Sequence, residues 1–410
     1  MTTFIRPFSA LRPQTEHAAD VIAPPYDVVS TAEARALAGD RPASFLHISR
    51  PEIDLPLGSS PYADEAYARG AMSLRKLRDT GVLVCEPRPS YYVYRMTRAG
   101  RVFTGVACVA SIAAYEANRV RKHELTRPDK ENDRVRNIAT LNAQTGPVLC
   151  AYRANDALRA MLGKCAEGTP TLEALGPNDV LHTVWCVDDA ERLGRLSAAL
   201  NALDALYIAD GHHRAAAAAR VARERRSRGA GDASQYFLVV AFPHDQTQIL
   251  DYNRSVRDMH GLSAGRLLAR IGEAFEVEPS PAPVAPAAPE TFGMYLAGTW
   301  YRLRIQSALV PRDDPVASLD VSVLQDRLLS PILGIGDPRM DPRIDFVGGV
   351  RGLAELERRV DSGAAAIAFS LHATRMEQLM AVADAGCLMP PKSTWFEPKL
   401  ADGLLTHVLD

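Results

Sequence analysis

The stretch at residues 207–220, YIADGHHRAAAAAR, places four side chains capable of chemistry within five positions. Asp210 can accept a proton or hold a metal ion, and His212 and His213 exchange protons near neutral pH. Arg214 offers a forked donor that suits phosphate or carboxylate. These residue types together indicate acid–base chemistry or the binding of an anion. The alternative is a structural role in which they only cap a helix.

The residues on either side predict the elements that position this group, which we call the histidine corner (residues 210–214). The apolar run ending in Asp210 and Gly211 predicts a strand entering a tight turn, because glycine tolerates backbone angles that other residues avoid. A helix is predicted from about Ala215 toward Ser227. Its first amides lack partners within the helix, and its dipole favours an anion there. The corner is therefore predicted to bind phosphate.

A second dense group of charges lies upstream, in the sequence RKHELTRPDKENDR. Its members are His123, Glu124, Arg127, Asp129, Lys130, Glu131, Asp133 and Arg134, and Asn142, Thr145 and Gly146 follow. Pro128 interrupts any long helix, so part of the group must lie on a turn where side chains can converge. A solvated helix face is the alternative interpretation.

The composition narrows the class of protein. Hydrophobic residues make up 47% and charged residues 23% of the 410 positions, as in globular proteins. A net charge of −2 gives no positive field for nucleic acid, and no apolar run approaches the ~20 residues that span a bilayer. The chain start lacks a secretion signal, and the six cysteines form no C-x-x-C pair. We predict a cytoplasmic protein that binds neither nucleic acid nor membrane. The sequence leaves the oligomeric state open, and a homodimer is one possibility.

The pattern along the chain predicts an α/β fold of the mixed α+β kind, in which mixed sheets pack with helices. Strand-like runs alternate with segments of helical period on both sides of a proline-rich stretch. That stretch, residues 279–290, holds five prolines and predicts a linker or loop. The expected domains are an N-terminal α/β body at 1–278, which holds the histidine corner, and a smaller C-terminal α/β part at 291–410.

Seven stretches carry a resemblance to a known family. They are IRPFSALRP, VIAPPYDVV, RKHELTRPDKENDR, LNAQTGPV, IADGHHRAAAA, LDVSVLQDRLLSPILGI and MPPKSTWFEPKL. In this order they resemble the bacterial and archaeal family catalogued as domain of unknown function 1015. The histidine corner resembles the Gly-x-x-Arg corner of the ParB/sulfiredoxin-like superfamily, in which a strand-turn-helix element of this kind holds nucleotide phosphates. Within that superfamily, free-serine kinases carry a very similar Asp-Gly-His-His-Arg motif.

The resemblance to free-serine kinases implies phosphoryl transfer to the hydroxyl of L-serine, giving O-phosphoserine. It implies ATP, ADP or pyrophosphate as phosphoryl donor and Mg²⁺ as cofactor. The implied catalytic residues are Asp210, His212, His213 and Glu124, with Asp210 also a metal ligand. The implied phosphate-binding residues are Gly211, Arg214, Arg127, Lys130 and Arg134. The implied serine-binding residues are Asp27, His123, Asn142, Lys392 and Ser393.

Two other functions remain open at the level of sequence. A metal-dependent hydrolase needs a third ligand, because two adjacent histidines rarely converge on one tetrahedral ion. His123 could supply that ligand only if folding brought it close. A ParB-like nucleotide-binding regulator would need a basic recognition element, which the near-neutral charge does not favour. Neither a Walker-type phosphate loop nor a G-x-G-x-x-G motif after a strand is present.

Overall fold

The computed structural model describes residues 3–227 and 232–409, and the chain divides into two compact units. The first unit is Met1–Thr247 with Pro398–Asp410, and the second unit is Gln248–Glu397. Both contain helices and β-sheets, so the predicted mixed α/β fold is confirmed.

The division falls elsewhere than the proline-rich segment, which lies inside the second unit. Pro279 belongs to the edge strand of a sheet, where a missing N–H is tolerated. The buried side chain of Val284 anchors the segment, and the Val284 carbonyl accepts a hydrogen bond of 2.6 Å from Ser370. Proline density here therefore reflects an edge strand and a packed loop.

The first unit is built on a large mixed sheet and a smaller antiparallel one. Its strands are β1 (Ile5–Arg6), β2 (Ala10–Pro13), β3 (Leu83–Cys85), β4 (Tyr91–Arg98), β5 (Arg101–Ser111), β6 (Val120–Arg121), β7 (Ala143–Gln144), β8 (Val148–Tyr152), β9 (Leu172–Leu175), β10 (Leu181–Val187), β11 (Leu206–Asp210), β12 (Tyr236–Pro243) and β21 (Thr406–Val408). The large sheet has the order β6-β11-β8-β12-β5-β4-β10-β9, with β1 paired to β5. The small sheet has the order β3-β2-β21-β7.

Helices cover these sheets. They are α1 (Ala18–Val21), α2 (Thr31–Ala38), α3 (Leu46–Ser49), α4 (Asp64–Asp79), α5 (Ile112–Glu116), α6 (Pro128–Leu141), α7 (Asp156–Cys165), α8 (Ala190–Asn201) and α9 (His212–Arg226). The alanines of α9 explain its place, since Ala215, Ala217, Ala218 and Ala219 are all buried in the core with β8 and β12. Small side chains let this helix approach the sheet closely, so it is buried on most of its faces.

The sheet topology brings the two charged groups of the sequence together. Strands β6 and β11 are parallel neighbours, so their carboxyl ends meet at the same edge of the sheet. Residues 122–127 leave β6 at this edge, and the histidine corner leaves β11 there. Pro128 is the first residue of α6, a position where its missing N–H costs nothing, and residues 122–127 before it form an irregular segment with a bend at Glu124.

The second unit has its own sheet and core. Its strands are β13 (Gln248–Leu250), β14 (Tyr252–Val256), β15 (Phe275–Ser280), β16 (Thr291–Leu296), β17 (Thr299–Ile305), β18 (Ile344–Gly348), β19 (Ile367–Leu371) and β20 (Trp395–Glu397), and its helices are α10 (Ala264–Ile271), α11 (Asp320–Leu324), α12 (Ala354–Asp361) and α13 (Met376–Asp384). The main sheet has the order β15-β17-β16-β19-β14-β18. Strands β16 and β17 form a hairpin that turns at Ala297 and Gly298, with φ of 50° and 81°. A π-helical turn at Gln325–Leu329 extends α11 and ends before Pro331.

Of the helices that the described residues form, none combines the length and the apolar character that a bilayer crossing demands.

The tight contact between β5 and β12 makes a testable prediction about stability. A Cβ at Gly105 would lie 2.5 Å from the Ala241 carbonyl oxygen and 2.8 Å from the Phe242 ring. Gly105→Ala should therefore lower the free energy of unfolding by about 1–3 kcal/mol, because overpacking forces the strands apart. Gly194→Ala in α8 is the control, since its Cβ meets nothing within 4 Å in the described structure, and it should add up to about 1 kcal/mol. Urea unfolding measures both, and equal effects would contradict the prediction.

Candidate functional site

The histidine corner is a strand-turn-helix element, as the sequence predicts. Strand β11 ends at Asp210, Gly211 has a φ of 98°, and α9 begins at His212. The helix therefore starts three residues earlier than expected, and His212, His213 and Arg214 form its first turn. Their backbone amides have no carbonyl partners within the helix, which leaves them available to an anion.

Arg214 is the buried support of this corner. Its Nη2 donates to Asp210 Oδ2 at 2.9 Å, and its Nη1 donates to the Pro147 carbonyl. Gly211 makes room for the guanidinium, because a Cβ there would lie 2.9 Å from Arg214 Nε. Gly146 does the same for the stem, with a Cβ position 3.3 Å from Arg214 Cδ. Arg214, which the sequence predicts to bind phosphate, thus uses both of its terminal nitrogens in hydrogen bonds within the protein.

Asp210 lies between two cations. Its Oδ2 faces Arg214, and Lys399 Nζ lies 3.7 Å from its Oδ1. Burial opposes ionisation, but the charges of Lys399 and Arg214 hold the pKa of Asp210 below its ordinary value. The sequence did not lead us to predict Lys399, and we predicted Lys392 from the same stretch instead. The signal was the second lysine of KSTWFEPKL, seven residues further on.

His123 and Glu124 converge on His212. The His123 and His212 rings meet edge to face, with centroids 4.4 Å apart. Glu124 Oε2 lies 3.8 Å from His212 Nδ1, so side chains of the two charged groups lie close together here. Burial lowers the pKa of His123 to about 4 and holds the pKa of His212 well below its usual value. Both rings are neutral at neutral pH.

The beginning of α6 meets the other histidine. The Arg127 amide donates to His213 Nε2 at 3.0 Å, while the exposed Arg127 side chain pairs with Asp129. Burial lowers the pKa of His213, and the charge of Asp27 opposes that shift. Lys130 turns toward Tyr62, whose hydroxyl oxygen accepts its hydrogen bond at 2.9 Å.

A small cavity beside Arg214 is also lined by Arg134 and Asp402. Arg134 pairs with Asp133 and stacks over the Tyr26 ring, 3.7 Å from its centroid. Burial raises the pKa of Asp402 to about 7, although the charge of Arg214 opposes this. Asp402 was missed by the sequence analysis, because a single aspartate followed by glycine resembles an ordinary turn.

The remaining predicted residues lie in different places. Asp27 is exposed, and its charge acts on His213 and Arg214. Asn142 ends α6 in the left-handed conformation, roughly 20 Å along the helix from its start, and its Oδ1 accepts a hydrogen bond from Arg225. Lys392 and Ser393 belong to the second unit, where the Ser393 hydroxyl donates to the Pro390 carbonyl at 2.6 Å.

The fold and the corner define a mixed α/β protein whose strand-turn-helix element gathers acids, histidines and cations at one sheet edge. The family model described as "Protein of unknown function (DUF1015)" matches residues 5–322. The chain belongs to that family. A search of curated proteins finds no match.

Solved structures show distant likeness. A free serine kinase in complex with AMP is 14% identical, with a TM-score of 0.34 and coverage of 73% of this chain and 92% of that one. A conserved hypothetical protein from Pyrococcus furiosus is 14% identical, with a TM-score of 0.33 and coverage of 73% and 93%. SbnI from Staphylococcus aureus, truncated at its C-terminus, is 11% identical, with a TM-score of 0.38 and coverage of 72% and 85%.

The two hydrogen bonds of the Arg214 guanidinium predict that replacing it with another cation destabilises the fold. Arg214→Lys keeps the charge, but one ammonium cannot reach both Asp210 and the Pro147 carbonyl. We expect the free energy of unfolding to fall by about 3 kcal/mol. Arg127→Lys, at an exposed position, should change it by less than about 0.5 kcal/mol. Urea unfolding of both variants checks this, and an unchanged Arg214→Lys protein would refute the supporting role.

The neutral state of His123 predicts a pH dependence of stability. The pKa of His123 is about 4 in the fold, against about 6.5 in an unfolded chain. As the pH falls below 6.5, His123 binds a proton in the unfolded chain but not in the folded protein. The free energy of unfolding therefore decreases down to about pH 4. His123→Asn should remove about 1.4 kcal/mol per pH unit from this slope. Urea unfolding at pH 7, 6 and 5, in the presence of a chelator, tests this, and parallel slopes would contradict it.

Proposed function

We propose that this protein is a phosphotransferase that phosphorylates the hydroxyl of free L-serine at the histidine corner, giving O-phosphoserine. The observation that carries the proposal is the convergence of Asp210, Lys399 and the first amides of α9 at one sheet edge. Phosphoryl transfer asks mainly for positioned groups and for positive charge around the moving phosphoryl group. These groups supply both.

The phosphate oxygens of the donor would bind at the beginning of α9. The amides of His212 and His213 point out of the helix end, and the dipole adds a partial positive charge. Lys399, 3.7 Å from Asp210, is the proposed cation for the phosphate, because Arg214 is committed to Asp210 and the Pro147 carbonyl. The Arg127 side chain, 70% exposed, can swing toward a bound phosphate.

Asp210 is the proposed proton acceptor. In the transfer, the serine Oγ forms a bond to phosphorus, the bond from phosphorus to the donor's bridging oxygen breaks, and the hydroxyl proton passes to Asp210. The lowered pKa of Asp210 keeps the carboxylate ionised at neutral pH, and its weak basicity suffices because a loose transition state leaves little charge on the attacking oxygen. The serine ammonium group would face Asp27, the exposed acid near His213.

Asp210 fits the predicted Mg²⁺ poorly. Both of its oxygens face cations, Lys399 on one side and Arg214 on the other. A metal ion there would have to displace Lys399, so no step of the proposed transfer is assigned to a metal on Asp210. The donor's own phosphate oxygens are the ligands that Mg²⁺ prefers.

One assay tests the proposal directly. The purified protein is incubated with L-serine, Mg²⁺ and, separately, ATP, ADP or pyrophosphate, and O-phosphoserine is measured by mass spectrometry. We expect product with one donor and none with O-methylserine, which lacks the free hydroxyl. The absence of phosphoserine with all three donors would refute the proposal.

The proposed role of Asp210 predicts a split between turnover and binding. Asp210→Asn removes the proton acceptor, so kcat should fall by about 10²-fold or more, while donor affinity changes only a few-fold. Asp156→Asn, at an exposed position on α7, is the matched control and should leave both unchanged. Steady-state kinetics and donor titration measure the two quantities, with thermal melting to confirm folding. Full turnover by Asp210→Asn would remove this residue from the chemistry.

A further inference from the structure

Three side chains beside the histidine corner bring potential metal ligands together. His123, Glu124 and His212 each offer one ligand atom, and these atoms lie within 4.8 Å of one another. Ligands of a tetrahedral zinc-type ion lie roughly 3.3–3.6 Å apart, so a closure of about 1 Å completes the site. Glu124, on a flexible stem and 62% exposed, can make that movement. We propose that these three residues bind a divalent transition-metal cation.

His123 is oriented as metal-binding histidines are. It is 2% exposed, and within the described part of the chain its Nδ1 has no hydrogen-bond partner. The ring's hydrogen bond goes instead to the backbone of Ile208 in β11. In metal-binding histidines, one ring N–H commonly donates a hydrogen bond to a backbone carbonyl. This bond fixes the tautomer and turns the lone pair of the other ring nitrogen toward the metal. A buried ring nitrogen without a hydrogen-bond partner lowers the stability of the fold. A bound cation would give this nitrogen a partner and so explains why it lies buried here.

His212 completes the pair of imidazoles. Its Nδ1 faces the Glu124 carboxylate at 3.8 Å, and its Nε2 receives only a long contact, 3.4 Å, from the His123 amide. Coordination through Nδ1 places the ring proton on Nε2 and gives up that weak contact.

The donor set selects the class of cation. Two imidazoles and one carboxylate suit Zn²⁺, Co²⁺ or Mn²⁺, and they resemble the ligand number of catalytic zinc sites, in which a fourth position stays open. Mg²⁺ prefers oxygen ligands and should not compete. His212 is the first residue of α9, so the open position would lie within one helical turn of the amides that favour an anion. A phosphate or carboxylate oxygen is the ligand class that this arrangement fits.

The proposal rests on these three side chains and does not require that the corner transfers phosphate. The test uses the full chain without a histidine tag, stripped with a chelator and titrated with Zn²⁺ by calorimetry and with Co²⁺ by visible absorption. We expect one equivalent of Zn²⁺ with micromolar or tighter affinity, the visible bands of tetrahedral Co²⁺, and no displacement by millimolar Mg²⁺. Serine and phosphoryl donors are absent, so the result is independent of the kinase assay.

Variants separate this site from other histidines. Glu124→Gln removes an exposed ligand with little risk to folding and should weaken Zn²⁺ binding by about tenfold or more. His212→Gln should abolish the Co²⁺ bands, with melting measured to confirm folding. Asp129→Asn, an exposed acid at the start of α6, and His213→Asn, the adjacent histidine, should bind the metal as the wild type does. Equal binding by Glu124→Gln and the wild type, or no stoichiometric binding by the wild type, would overturn the proposal.

Discussion

The burial of one guanidinium governs the first unit of this protein. Arg214 is 7% exposed, and a charge in that position must be paired or the fold loses several kcal/mol. Its two terminal nitrogens therefore fix Asp210 at the end of β11 and the Pro147 carbonyl before β8. Gly211 and Gly146 are the positions where its volume would collide with a side chain. One buried cation thus sets the turn, the acid and the first residues of α9.

This constraint divides the corner into a buried half and an accessible half. Arg214, His123 and His212 lie inside and hold the geometry, while Glu124, Arg127 and Asp27 lie outside and can meet a ligand. The alanine-rich α9 is packed deeply enough that its amino end stands in a region of low dielectric, where its dipole acts more strongly on an anion. The chemistry of the site thus depends on side chains that need not touch substrate.

The charges around the corner are balanced in a way that suits a phosphate. Asp210 is neutralised by Lys399 and Arg214, and the neutral imidazoles add no charge of their own. An incoming phosphate would meet the helix amides, Lys399 and the exposed Arg127 without first displacing the Asp210 carboxylate. A divalent cation on His123, Glu124 and His212 would add positive charge on the side of Glu124. The proposed anion site and the proposed metal site would then support each other.

The local pattern of the sequence determined the strand, the glycine turn, the helix, the mixed α/β class and the residues of the histidine corner, because propensity and polarity act over a few neighbouring positions. The parallel pairing of β6 with β11 brings the two charged groups to the same edge of the sheet. Only the tertiary structure decided that Arg214 supports the corner from within, that Lys399 stands beside Asp210, and that His123 meets His212. It alone showed that the division into units does not fall at the proline-rich segment and that residues 398–410 return to the first unit. These results depend on contacts between residues up to almost four hundred positions apart, such as Ala10 with His407, and no local pattern encodes which side chain is buried against which.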